Sequence, residues 1–150
     1  MKDIVKITAD IISLDEIAKA VADPKAGAIS TFSGTTRDNF EDKEVKTLAY
    51  EAYIPMAEKS IQSLITAARQ KWDDLIHVAI VHKIGDCPVG ETSVVIAVSS
   101  GHRVQGLEAV HWLIDELKVQ VPIWKKEVYT NGGPDGTDGG EMWKANNTLP

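Results

Sequence analysis

Near the middle of the chain, two strand-like stretches are joined by only the seven residues GDCPVGE, 85–91. Residues 75–84 alternate, with Ile76, Val78, Ile80, His82 and Ile84 on one face. TSVVIAVSS, residues 92–100, is a nearly continuous apolar run that reads as a buried strand. A parallel pair needs a crossover of a dozen residues or more, so a connection this short favours antiparallel neighbours. Such a hairpin argues against a doubly wound parallel sheet.

The other elements follow from periodicity and punctuation. Residues 3–9 read as a strand. Ser13-Leu-Asp-Glu16 has the capping-box pattern, and Leu14, Ile17, Ala18 and Val21 give the short helix behind it an apolar face before Asp23-Pro24 ends it. Residues 27–35 and 45–53 read as strands, with the polar stretch RDNFEDKE, 37–44, as a mobile loop between them. Pro55 suits a first helical turn, and Ile61, Leu64, Ile65, Ala68 and Trp72 recur at helical spacing, which predicts a helix over 55–71. Leu107, Val110, Ile114 and Leu117 predict another over about 103–119, with Pro122 beyond it and a last strand over 123–129. The expected order is β-α-β-β-α-β-β-α-β. This is an α+β chain with a mixed, largely antiparallel sheet, organised as one domain over 1–150, with the glycine-rich 131–140 opening a flexible tail over 131–150.

Charge narrows the function. A net charge of -6 and a pI near 5.2 do not suit nonspecific nucleic-acid binding. No run approaches the length of a membrane span, and acids interrupt the apolar N-terminal stretch, so it does not read as a signal peptide. Cys87 is the one cysteine, which leaves no intrachain disulfide. The expected location is the cytoplasm.

Against that acidic background, LKVQVPIWKKEVY, residues 117–129, sets Lys118, Lys125 and Lys126 around an apolar segment. A lysine held beside apolar groups is desolvated and becomes useful for proton transfer or nucleophilic attack. A solvated face, with Lys118 serving the helix C-terminus, fits the same residues. Lys125 and Lys126 are strand neighbours and point to opposite faces. Ser99-Ser100-Gly101-His102-Arg103 lies where a strand ends and a helix begins, a place that attracts anions through free backbone N–H groups. A plain helix cap with two solvated polar side chains fits there too. Arg37 opens the polar loop beside the hydroxyls of Thr35 and Thr36. Nothing near Cys87 in sequence lowers its pKa, and no metal-ligand spacing is present: His77 and His82 fall on opposite faces of their strand.

Taken in order, GAISTFSGTTRD, LAYEAYIPMAE, HKIGDCPVGE, IAVSSGHR and LKVQVPIWKKE resemble one family, the large catalytic subunits of molybdopterin synthase. The resemblance runs over about 27–129. Its most specific parts are SSGHR and PIWKKE, separated by a helix ending in Leu-Lys. Gly101 stands where relatives often carry alanine, and glycine allows a closer backbone approach.

The resemblance implies an enzyme of molybdenum cofactor biosynthesis, a sulfurtransferase. It would convert cyclic pyranopterin monophosphate to molybdopterin, adding two dithiolene sulfurs. The sulfur would come from the C-terminal thiocarboxylate of a small ubiquitin-like subunit, whose Gly-Gly end enters the active site. No other cofactor and no metal are implied. Lys118 and Lys125 match the family's active-site lysines, with Lys125 the candidate for acid–base work and Lys118 for orienting the thiocarboxylate. Arg37, His102 and Arg103 match substrate-binding positions, flanked by Thr35, Thr36, Lys126 and Glu127. The implied fold is an α/β hammerhead with a small antiparallel subdomain. The implied assembly is a homodimer of large subunits within a heterotetramer, whose sites can take residues from both protomers.

Overall fold

A computed structural model describes residues 1–40, 43–129 and 141–145. Along the chain run β1 (Lys2–Thr8), α1 (Leu14–Ala20), β2 (Ala28–Thr35), β3 (Asn39–Phe40), β4 (Lys43–Ala52), α2 (Ile54–Lys71), β5 (Leu75–Lys83), β6 (Gly85–Pro88), β7 (Thr92–Ser100), α3 (Arg103–Gln120), β8 (Ile123–Tyr129) and β9 (Glu141–Ala145). One sheet has the order β1-β5-β7-β2, with β1 parallel to β5 and the other pairs antiparallel. The second has the order β3-β4-β8-β9, with β6 also paired to β4, and every pair in it is antiparallel. The expected α+β architecture, largely antiparallel with a smaller antiparallel β unit, is the observed one.

β7 explains itself once its place is known. It lies between β5 and β2, and both its faces are covered. Val94, Ile96 and Val98 join the main core with Ile61 and Ile65 of α2 and Leu113 and Leu117 of α3. Val95 packs with Ile12 and Val81, and Ala97 with Val21 and Ala79, on the face where Ile17 of α1 closes the packing. A strand with no wet face has no reason to alternate, which is why the sequence there is continuously apolar. The capping box forms at its first half: the Ser13 hydroxyl accepts from the Glu16 N–H at 3.3 Å.

Three strands escape the sequence reading. The loop expected over 37–44 contains β3, whose Asn39 and Phe40 pair with Glu44 and Lys43 of β4. The turn GDCPVGE contains β6, paired through Thr47–Tyr50 with β4. The tail expected over 131–150 contains β9, which pairs with β8 and sets the Trp143 backbone opposite Lys126. Residues 131–140 and 146–150 of that tail lie outside the described residues. β6 and β9 are short and become strands only by bonding to partners brought in by the fold, a signal that local propensity does not carry. Gly85, at φ +80°, turns the chain from β5 in the first sheet to β6 in the second, a conformation costly for any residue with a side chain.

The helix α3 lies on β2 and β7 at Gly106. A Cβ there would stand 2.6 Å from the Ser100 hydroxyl and 2.8 Å from that of Ser30. Alanine is the better helix former by about 1 kcal/mol. Overpacking at this contact nevertheless makes Gly106→Ala destabilising, by about 1–3 kcal/mol. Urea unfolding tests this; a stabilised variant would mean the contact is loose.

Candidate active site

At the junction of the two sheets lies a cavity of about 260 Å³. The C-terminal turns of α3 give it Ile114, Leu117 and Lys118, the end of β2 gives Phe32–Thr35, and β8 gives Lys125 and Glu127. Arg37, just past β2, and His82, near the end of β5, add to its polar lining together with Asn39, Tyr50 and Ser93. The alternation of β8 sets the arrangement. Ile123, Lys125, Glu127 and Tyr129 are buried, while Trp124 is exposed and Lys126 half-buried on the other face. Tyr50 pairs across the strands with Lys125, and Leu48 with Glu127, so all four side chains meet the same space.

Cationic groups dominate this lining, and each has a different setting. Burial, and then the nearby Arg37 guanidinium, holds Lys118 below the usual lysine range, with Asp115 acting against them. Lys125 and Glu127 are both buried, and the Tyr129 hydroxyl donates to the Glu127 carboxylate. Burial pushes the Tyr50 hydroxyl up to about 12, against a hydrogen bond with Ser93 that favours ionisation. Tyr50 therefore remains a hydrogen-bond donor throughout the physiological range.

His82 was not singled out by sequence for this site, although a polar residue in phase with Val78 and Ile80 marks a place where the apolar face is interrupted. Its ring stands edge-on to Tyr50, with centroids 5.0 Å apart. The Lys83 carbonyl lies 2.7 Å from Nδ1, which fixes the proton on that nitrogen. Burial, reinforced by Lys118, lowers the His82 pKa to about 4, while the Lys83 carbonyl works the other way. The unfolded chain therefore takes up this proton first as pH falls from about 6.5 toward 4. The folded form loses stability in that window, by about 2 kcal/mol between pH 7 and pH 5. Denaturant unfolding at the two pH values is expected to show this loss, with a smaller loss for His82→Gln.

The other candidates lie elsewhere. Thr36 is buried, and its hydroxyl donates to the Cys87 carbonyl at 3.0 Å. Its N–H donates to the Glu91 carbonyl at 3.1 Å, and its own carbonyl accepts from Gly90 at 2.9 Å. Thr36 thus anchors the end of β2, while Thr35 before it and Arg37 after it reach the cavity. Cys87 is buried in β6. Lys126 does not line the cavity. His102 and Arg103 are exposed at the opposite end of α3. Arg103 and Lys118 are fifteen residues apart on one helix, about 22 Å along its axis. A carboxylate also stands at the α3 N-terminus, where Asp74 Oδ2 accepts from the His102 N–H at 2.8 Å.

The model of the MoaE protein family matches residues 7–120. The chain belongs to this family. The matched segment runs from the last two residues of β1 through α3, while Lys125–Glu127 fall just beyond it. The chain is 59% identical over 130 residues to the molybdopterin synthase catalytic subunit of Arabidopsis thaliana, covering 86% of this chain and 61% of that relative. It is 50% identical over 145 residues to the corresponding subunit of Bos taurus, covering 97% of this chain and 72% of the relative. The chain thus spans about three fifths of the length of the plant relative. The crystal structure of molybdopterin synthase from Staphylococcus aureus superimposes with a TM-score of 0.83 at 33% identity, over 92% of this chain and 94% of that one.

Proposed function

We propose that this chain is the catalytic subunit of a molybdopterin synthase, acting in the cytoplasm in molybdenum cofactor biosynthesis. It converts cyclic pyranopterin monophosphate to molybdopterin with two dithiolene sulfurs, one from each of two C-terminal thiocarboxylates of a small ubiquitin-like subunit, each of which is left as a carboxylate. The observation that carries this reading is the convergence of Arg37, Lys118 and Lys125 in one cavity of a MoaE-family fold. Both the phosphate and the thiocarboxylate are anions, and a partly dry cavity lined by cations suits them.

The roles follow from the settings. Lys125 exchanges protons with the reacting carbons as general acid and base. Lys118, with its ammonium already disfavoured by burial and Arg37, orients the thiocarboxylate and stabilises the oxyanion formed when it is attacked. Arg37 holds the substrate from the β2 side, with Thr35 and Glu127 beside it. His102 and Arg103 grip the phosphate and pterin, but about 22 Å of helix separates them from Lys118 in the same chain. They therefore serve the cavity of a second copy, in a homodimer that carries a small subunit at each end.

The test is a turnover assay. The purified chain is mixed with a thiocarboxylated ubiquitin-like partner and cyclic pyranopterin monophosphate, and the dithiolene product is detected. Product is expected. Binding of both partner and precursor without product would overturn the reading and leave a ligand-binding module.

A further inference from the structure

The sequence SSGHR is held by a residue that no motif includes. α3 has eighteen residues, and its N-cap is His102, whose imidazole makes no capping hydrogen bond. The cap comes from Asp74, in the connection between α2 and β5. Asp74 Oδ2 accepts from the His102 N–H at 2.8 Å, and the Asp74 carbonyl accepts from the Gly101 N–H at 3.2 Å. The Asp74 N–H donates in return to Gln105 Oε1 at 2.9 Å. Three bonds thus tie one residue to both sides of the turn. From below, the Ser100 hydroxyl donates to the His102 carbonyl at 2.7 Å. Gly101 leaves room for this clamp, since a Cβ there would stand 2.5 Å from Asp74 Oδ1.

The side chains of His102 and Arg103 are exposed, so the backbone that carries them fixes the point from which they reach out. That backbone is fixed at His102 through both its N–H and its carbonyl. We propose that Asp74 is the positioning residue that aims His102 and Arg103 at the substrate. The inference rests on the reading above, in which those two side chains hold the phosphate and pterin. It goes further in one way. The Asp74 carboxylate takes the His102 N–H and places a negative charge at the helix start, which offsets the dipole's attraction for a substrate phosphate. The affinity for the phosphate then depends on the His102 and Arg103 side chains and on where the clamp holds them.

Geometry and charge make opposite predictions at this position. Asp74→Asn keeps an acceptor oxygen in the same place without the charge. Asp74→Glu keeps the charge and moves the acceptor by one methylene. If positioning is the role, Asp74→Ala raises KM for cyclic pyranopterin monophosphate about tenfold with kcat within about twofold. Asp74→Asn then stays close to wild type, and Asp74→Glu resembles Asp74→Ala. Should Asp74→Ala fail to fold, the contrast between Asn and Glu carries the test alone. Wild-type KM in Asp74→Glu together with a raised KM in Asp74→Asn would overturn the inference in favour of a charge effect. Arg103→Ala separates the two levels. If it raises KM while Asp74→Ala and Asp74→Glu do not, the clamp is wrong and the binding role stands. If Arg103→Ala itself leaves KM unchanged, the binding role fails and the inference falls with it.

Discussion

Lys125→Ala is expected to lower turnover about a thousandfold while the chain stays folded and still binds its partner, since a placed acid or base contributes about 10² to 10⁴. Lys125 is buried on the cavity face of β8, opposite Tyr50 and one strand repeat from Glu127. No other amine shares that face of β8, because Lys126 points the other way. Lys118 reaches the cavity from α3, a different wall. Truncation also leaves a hole beside Glu127, so a modest loss of stability, about 1–3 kcal/mol, is expected with it. Thermal unfolding separates that loss from the loss of chemistry. Lys125→Arg sharpens the assignment: a guanidinium keeps the positive charge but does not release a proton at working pH. It should therefore bind precursor and remain slow. Wild-type turnover in either variant would remove Lys125 from the chemistry.

Mixing two impaired variants is expected to restore activity at low precursor concentration. If His102 and Arg103 serve the cavity of the partner protomer, Lys125→Ala disables both sites of its own dimer, and Arg103→Ala weakens both of its own when precursor is well below the raised KM. After random exchange half of the dimers are mixed, and each mixed dimer has one site with every group intact. About a quarter of wild-type activity should therefore return. The physical basis is the separation along α3: a side chain at one end of an eighteen-residue helix cannot meet a ligand held at the other. Recovery must depend on subunit exchange and vanish when the variants are kept apart. No recovery despite demonstrated exchange would mean that all the groups act within one chain or that His102 and Arg103 do not act on the substrate.

Much of this was legible from the residues. The 3.6-residue period located α2 and α3, the two-residue period located β5, and an unbroken apolar run located β7, because each of these patterns is local. The strand period also put Lys125 and Lys126 on opposite faces, which is how β8 is built. Lys118, Lys125 and Arg37 stand out in the sequence by residue type and neighbours alone. β6 and β9 were not legible. GDCPVGE has the composition of a turn and serves as one, yet four of its residues also pair with β4. His82 was visible only as an interruption of an apolar face, and Asp74 not at all, since a capping carboxylate that arrives from 28 positions upstream of the turn leaves no spacing to recognise.

The sequence by itself determined the helices and long strands, the antiparallel pairing around GDCPVGE, and the cationic groups available for chemistry. These depend on period, chain length and side-chain type, all of which are local. Only the tertiary structure decided which groups share a space. It brought Arg37, Lys118, Lys125, Glu127 and His82 to one cavity, withdrew Thr36 into an anchor, and left His102 and Arg103 at the far end of α3 under the Asp74 clamp. Those outcomes depend on how two sheets and three helices pack, and contacts between distant parts of a chain are fixed by the burial of whole faces rather than by any short stretch of residues.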